Sequence, residues 1–205
     1  MPPLPPRRIL VPMDLSGPSL SALETAKRLA RRFHSRLGVV YVQPPQSAFP
    51  PIDPNLAVGR MPDVTRLEDE YARWCAGCLR EAVAGFPPSR VSVRTVHGWP
   101  AAVLAGLATK RSADLVVMGS HGYHGLDRML HGSVSEALVR RAAVPVLAVH
   151  EARRPLSWGR VLVPVNMLAH SDETLRYAEG LTRALGGRLS ALWVSEEPRR
   201  AAEER

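Results

Sequence analysis

Cysteine, lysine and aromatic residues are all scarce in this chain, and each shortage removes a class of explanation. Only Cys75 and Cys78 are present, so no disulfide framework can carry the fold. They form "WCAGC", which superficially matches a thioredoxin-type redox motif. Such a pair belongs at a helix start just after a strand, where the helix dipole lowers the thiol pKa. Here it follows "TRLEDEYAR", a helix already under way, so the two thiols are expected i and i+3 on one face, packed or half-exposed. Lysine occurs only at 27 and 110 among 27 basic residues, and the arginines are scattered from Arg7 to Arg205. With 19 acidic residues the net charge is +8, yet aromatics make up only 5%. A scattered arginine excess without interleaved aromatics does not trace a nucleic-acid stripe, and nucleic-acid binding is disfavoured. No apolar run approaches the roughly 18 residues of a membrane span, and "MPPLPPRRIL" lacks the apolar core of a signal peptide. A cytoplasmic protein without a membrane partner is the expectation.

What the chain does contain is alternation. "RRILVPMD" is a short β-rich run ending at Asp14, followed by "GPSLSALETAKRLARRFHS" with Leu20, Leu23, Ala26, Leu29, Ala30 and Phe33 at helical spacing. Lys27, Arg28, Arg31 and Arg32 lie largely off that stripe, and Pro18 suits a first helical turn. "RLGVVYVQP" reads as a buried strand. Residues 44–64 hold six prolines and read as a long connection. A second helix ("VTRLEDEYARWCAGCLREAVAGF"), a strand ("RVSVRTVHG"), a third helix ("WPAAVLAGLATKRS") and the apolar strand "ADLVVMG" follow. "SVSEALVRRAA" and "VPVLAVH" complete a β-α-β-α-β-α-β-α-β order. Continuous apolar strands alternating with helices predict an α/β fold with a parallel sheet covered on both faces.

After residue 159 the beginning returns. Residues 160–194 align without a gap on residues 8–42 at an offset of 152, pairing Arg8 with Arg160, Leu10 with Leu162, Pro12 with Pro164 and Val42 with Val194. Self-similarity of this kind marks duplicated architecture. The copy stops after one β-α-β unit and a charged tail, which predicts a first domain over 1–152 and a truncated repeat over 159–205.

The stretch "MGSHGYHGLDRMLHGSVSE" sets Gly119, Gly122, Gly125 and Gly132 within fourteen residues. Each glycine inside a helix costs up to about 1 kcal/mol, so this spacing is not that of a packed element. Gly119 and Gly122 free the backbone as it leaves a buried strand. Gly132, Ser133, Val134 and Ser135 place free N–H groups, two hydroxyls and a helix dipole at one point, a natural phosphate site. Ser133 and Glu136 also form a capping box, which accounts for the serine with nothing bound but not for the three glycines together. No lysine follows, as a P-loop would require.

G-x2-G-x9-G-S at this place in a five-strand α/β chain resembles the universal stress protein family, in its ATP-binding branch. Gly119, Gly122, Gly132 and Ser133 fit that pattern without adjustment, and "ILVPMDLS", "GWPAAVLAGLA" and "VPVLAV" extend the likeness over residues 7–150 and again 159–195. The resemblance implies a five-stranded parallel sheet of order 3-2-1-4-5, a Rossmann-like sandwich of the adenine-nucleotide alpha-hydrolase type, with a C-terminal β-α-β half repeat. Carried over, Pro12, Asp14 and Val42 surround adenine and ribose. Met118, Gly119, His121 and Gly122 line ribose and first phosphate, and Gly132, Ser133, Val134 and Ser135 hold the outer phosphates of ATP, or of AMP or ADP, with Mg²⁺ or Mn²⁺. Asp14 also has an ordinary reading as a turn residue closing the first strand.

Departures qualify the carry-over. Tyr123 stands where the family often has arginine, and Asn166 replaces the counterpart of Asp14 in the second copy, which lacks the glycine loop and is not expected to bind nucleotide alone. His121, His124 and His131 fit no tight zinc spacing and read as solvated loop residues. No nucleophile stands beside a general base in the sequence, so no catalytic residue is assigned, and any ATP hydrolysis is incidental. The expected function is a nucleotide-dependent stress-response switch with a protein partner, and the resemblance implies a homodimer. The alternative is a protein-interaction module of the same fold that binds no nucleotide.

Overall fold

The computed structural model describes residues 2–45, 64–109, 111–120, 134–150, 157–165 and 169–193. Five strands, β1 (Arg8–Met13), β2 (Arg36–Gln43), β3 (Val91–His97), β4 (Leu115–Gly119) and β5 (Val146–Val149), form one parallel sheet of order β3-β2-β1-β4-β5. This is the order that the family likeness implies. Helices α1 (Gly17–Phe33), α2 (Val64–Ala82), α3 (Pro100–Leu107) and α4 (Val134–Arg141) alternate with the strands. The central strands β1 and β4 are buried nearly throughout, because helices cover both of their faces. Leu10, Val40, Val42, Val116 and Met118 pack with Leu104 of α3 and Leu138 of α4. The alternate residues Ile9, Val11, Leu37, Val39 and Val117 are buried on the opposite face.

Helix α1 starts as its sequence predicts. Ser16 caps it by accepting from the Ser19 N–H, Pro18 occupies the first turn, and the chain leaves through His34 in the left-handed region at φ 56°. Two positions depart from the expected face. Leu20 is 42% exposed, while Lys27 is buried and its ammonium pairs with Glu24 Oε1 at 2.7 Å. A lysine stem covers apolar surface as well as a leucine does, provided its head finds a counter-charge. Helix α3 is shorter than predicted, since the Ser112 N–H turns back onto the Thr109 carbonyl. The cysteine pair lies inside α2, both thiols free and Cys75 fully buried. Burial pushes the Cys75 thiol pKa up, against hydrogen bonding to Tyr71 and Tyr41 that pulls it down.

A buried carboxylate locks the amino ends of β1 and β4. Asp114 accepts from the N–H groups of Arg7 and Arg8 at 3.0 and 2.9 Å and from the Arg8 guanidinium at 2.8 Å. Burial alone would raise its pKa, but the Arg8 side chain and these two amides outweigh it and hold the carboxyl below its ordinary value.

The chain divides into two compact units, Pro6–Pro155 with Pro2, and Leu156–Arg205 with Met1 and Pro3–Pro5. Within the second, β6 (Arg160–Val165), α5 (Ala169–Leu185) and β7 (Arg188–Trp193) make a parallel two-stranded sheet with one helix. Elements β6 and α5 carry the bounds of β1 and α1 displaced by 152 residues. Among the described residues no helix is long and apolar enough to cross a membrane.

Candidate functional site

The site grows from a break in the central ladder. Strand β1 keeps register with β2 through Met13↔Tyr41, but its pairing with β4 covers only Ile9↔Leu115 and Leu10↔Val116. Pro12 follows and brings no N–H to either neighbour. The two strands therefore open toward their carboxyl ends, where the chain crosses in opposite directions on either side of β1. Such a switch point is where open α/β sheets bind ligands.

The predicted residues on described elements gather there. Pro12, Val42 and Met118 project from one sheet face and are buried, on β1, β2 and β4. Asp14 stands exposed one residue past β1. Its Oδ1 accepts from the N–H of Ser16 at 3.0 Å and from the Ser16 hydroxyl, the turn that starts α1. Among the described residues Oδ2 has no hydrogen-bond partner, so half of the carboxylate stays available. Between them Leu15 holds φ 63°, an unusual conformation for a bulky residue.

Gly119 is still in strand β4, opposite Val149. The structure supplies a packing reason for this glycine. A Cβ there would lie 2.9 Å from Pro18 C and from Ser19 N in the first turn of α1. On the other side, the Ser135 hydroxyl donates to the Gly119 carbonyl at 3.2 Å. Val134, the first residue of α4, is partly buried against the same core cluster as Met118. The amino-terminal turns of α1 and α4 thus both meet the end of β4, and their dipoles point positive ends at the crevice. His121, Gly122, Gly132 and Ser133 lie outside the described residues.

One polar pair at this edge has no signal in the sequence. Ser120 continues the ladder by donating its N–H to the Val149 carbonyl at 2.9 Å, and its hydroxyl is 2.8 Å from His150 Nδ1. Thirty residues separate the two, and only the adjacency of β4 and β5 joins them. Among the described residues no group of three His, Cys, Asp or Glu side chains is placed to hold a metal ion.

Comparison with known proteins agrees with this fold. The chain is 29% identical over 150 residues to a universal stress protein of Methanocaldococcus jannaschii, covering 72% of this chain and 84% of the relative. It is 30% identical over 146 residues to universal stress protein A homolog 1 of Coxiella burnetii, covering 70% and 95%. Among solved structures, a universal stress protein of Archaeoglobus fulgidus superposes over 93% of this chain and 68% of that one, with a TM-score of 0.69 at 23% identity, a likeness of fold. A universal stress protein solved in complex with cAMP matches 72% of this chain and 99% of its own, with a TM-score of 0.54 and 25% identity. The family's own sequence pattern spans residues 6–150. With that span matched and the sheet in the order 3-2-1-4-5, the chain belongs to the universal stress protein family.

Proposed function

We propose that the first unit binds an adenine nucleotide in the crevice between β1 and β4 and acts as a nucleotide-dependent stress-response switch. The observation that carries this reading is the early end of the β1–β4 ladder at Leu10↔Val116, with two helix amino termini meeting beside it. Pro12, Val42 and Met118 offer an apolar wall for a base. The free oxygen of Asp14 suits a ribose hydroxyl as acceptor. Phosphates would lie toward α4, where Val134 begins the helix and Gly132 and Ser133 precede it in the sequence. The Ser135 hydroxyl already donates to Gly119, so its part is to hold α4 against β4. Mg²⁺ or Mn²⁺ would be held chiefly by the phosphates and water, as is usual for nucleotide-bound magnesium. That a related protein was solved with cAMP supports an adenine-nucleotide ligand class. Residues 160–194 repeat the sequence of the opening β-α-β unit. Strand β5 forms the sheet's edge among the described residues and is the surface on which a homodimer would pair.

The test is direct. Protein purified without added ligand and then denatured is expected to release adenine nucleotide, identified by absorbance and mass. ATP with Mg²⁺, AMP and cyclic AMP are then compared by thermal shift and calorimetry. Asp14→Asn, which keeps an acceptor for Ser16 but removes the charge, is expected to weaken ribonucleotide binding about tenfold. Absence of any released nucleotide together with no thermal shift for all three ligands overturns the proposal and favours the interaction module.

A further inference from the structure

A second cavity lies at the opposite end of the same sheet. It measures about 160 Å³ and is formed where Leu10, Gly38 and Ser92 of three adjacent strands meet Leu107 at the end of α3. The eight-residue α3 is too short to cover the amino ends of β1, β2 and β3, and Gly38 leaves the floor low. Arg36 and Arg94 line the cavity from β2 and β3, and Arg8 closes it on the third side. Among the described residues no carboxylate lines it. The Arg8 guanidinium is engaged by Asp114, but the guanidinium groups of Arg36 and Arg94 have no hydrogen-bond or ion-pair partner among the described residues.

We infer that this cavity is a binding site for a small dianionic oxyanion, either phosphate or the phosphate head of a small monoester. With Arg8 paired to Asp114, Arg36 and Arg94 face one cavity without a counter-charge and repel each other, and a doubly charged ligand removes that repulsion. The guanidinium fork matches phosphate oxygens in pairs, and here two forks are free while both are anchored on strands. Ser92 and Ser112 add hydroxyls to the wall. Arg8 and Arg36 are the first residues of their strands, and Leu10 and Gly38 on the cavity floor stand two and four residues before Pro12 and Val42, so roughly 7–13 Å of strand separates the cavity from the crevice residues. The inference therefore stands independently of the nucleotide reading. A Cβ at Gly38 would meet nothing closer than Ser92 Oγ at 3.8 Å, so an alanine fits there while a larger side chain occupies the cavity.

The experiment titrates inorganic phosphate into the full chain at constant ionic strength, read by ³¹P line broadening and by thermal shift. Glycerol phosphate serves as the monoester arm. Saturable binding is expected, weakened roughly 10–100-fold in Arg36→Gln/Arg94→Gln. Gly38→Leu is expected to abolish it, and Gly38→Ala to preserve both binding and the unfolding midpoint. Tighter binding of the ester would assign the cavity to a phosphorylated metabolite, and equal binding to phosphate itself. If neither anion binds saturably, or if the double variant binds as the parent does, the inference is overturned.

Discussion

Two residues carry more of this structure than their types suggest. Gly119 ends β4 directly against the backbone of α1, and a methyl group there meets Pro18 C and Ser19 N, atoms that cannot rotate away. Gly119→Ala is therefore expected to destabilise the protein by about 1–3 kcal/mol, measured by urea unfolding. A cost near zero would show that the first turn of α1 yields easily. Asp114 is the second. Its carboxyl is held below the ordinary 3.8, so the unfolded chain takes up its proton first on acidification. The stability it contributes is complete above that value and is lost as pH falls through the lower, folded one. Between pH 5 and 3 the parent should lose stability more steeply than Asp114→Asn. At neutral pH that variant, which removes the carboxylate charge paired with the Arg8 guanidinium, should cost about 2–4 kcal/mol. Parallel pH profiles for the two would remove the carboxylate from this role.

Helix α1 shows how one element is written twice. Its first-turn proline and apolar spacing are legible in the sequence, and its bounds recur in α5 at the repeat offset. The two helices end differently. His34 takes the left-handed conformation at φ 56°, whereas its counterpart Gly186 takes φ 76° with no side-chain penalty. His34 is exposed, so little packing is lost on its removal. His34→Gly is expected to stabilise the protein by up to about 1 kcal/mol, the left-handed strain relieved less the added chain entropy. Thermal unfolding checks this, and a lower midpoint would mean that the imidazole makes a contact worth more than the strain. The same helix marks a limit of periodicity. Leu20 belongs to the apolar stripe by spacing yet is exposed, while Lys27 is buried beside Glu24, because neighbouring elements decide how wide the covered face is.

At the scale of the molecule the repeat becomes a controlled comparison. Strand β1 has a neighbour on each side and is buried nearly throughout, but among the described residues the closely similar β6 pairs with β7 alone. Leu162 is 62% and Trp193 59% exposed in that second unit. A two-stranded sheet is marginal by itself, so its amides should open far more readily. Hydrogen exchange in β6 and β7 is expected to be at least about tenfold faster than at matching positions of β1 and β2. Equal protection would mean that the second unit is covered in solution.

The alternation of elements, the first-turn prolines, the repeat and the glycine spacing can all be read along the chain. All of these depend on residues within one element or one turn, where periodicity and backbone preference act. Resemblance to the family then supplied the strand order, which local spacing alone left open. What distant groups do to one another emerges from the folded arrangement alone. Asp114 lies more than a hundred residues from the Arg8 it binds, Ser120 thirty from His150, and Ser135 sixteen from the Gly119 carbonyl. The arginine-lined cavity likewise exists only because three strands and the end of a short helix meet at Gly38. Parallel strands are joined by long crossovers, so residues that share a site are far apart in the chain, and no pattern along the sequence records which of them will touch.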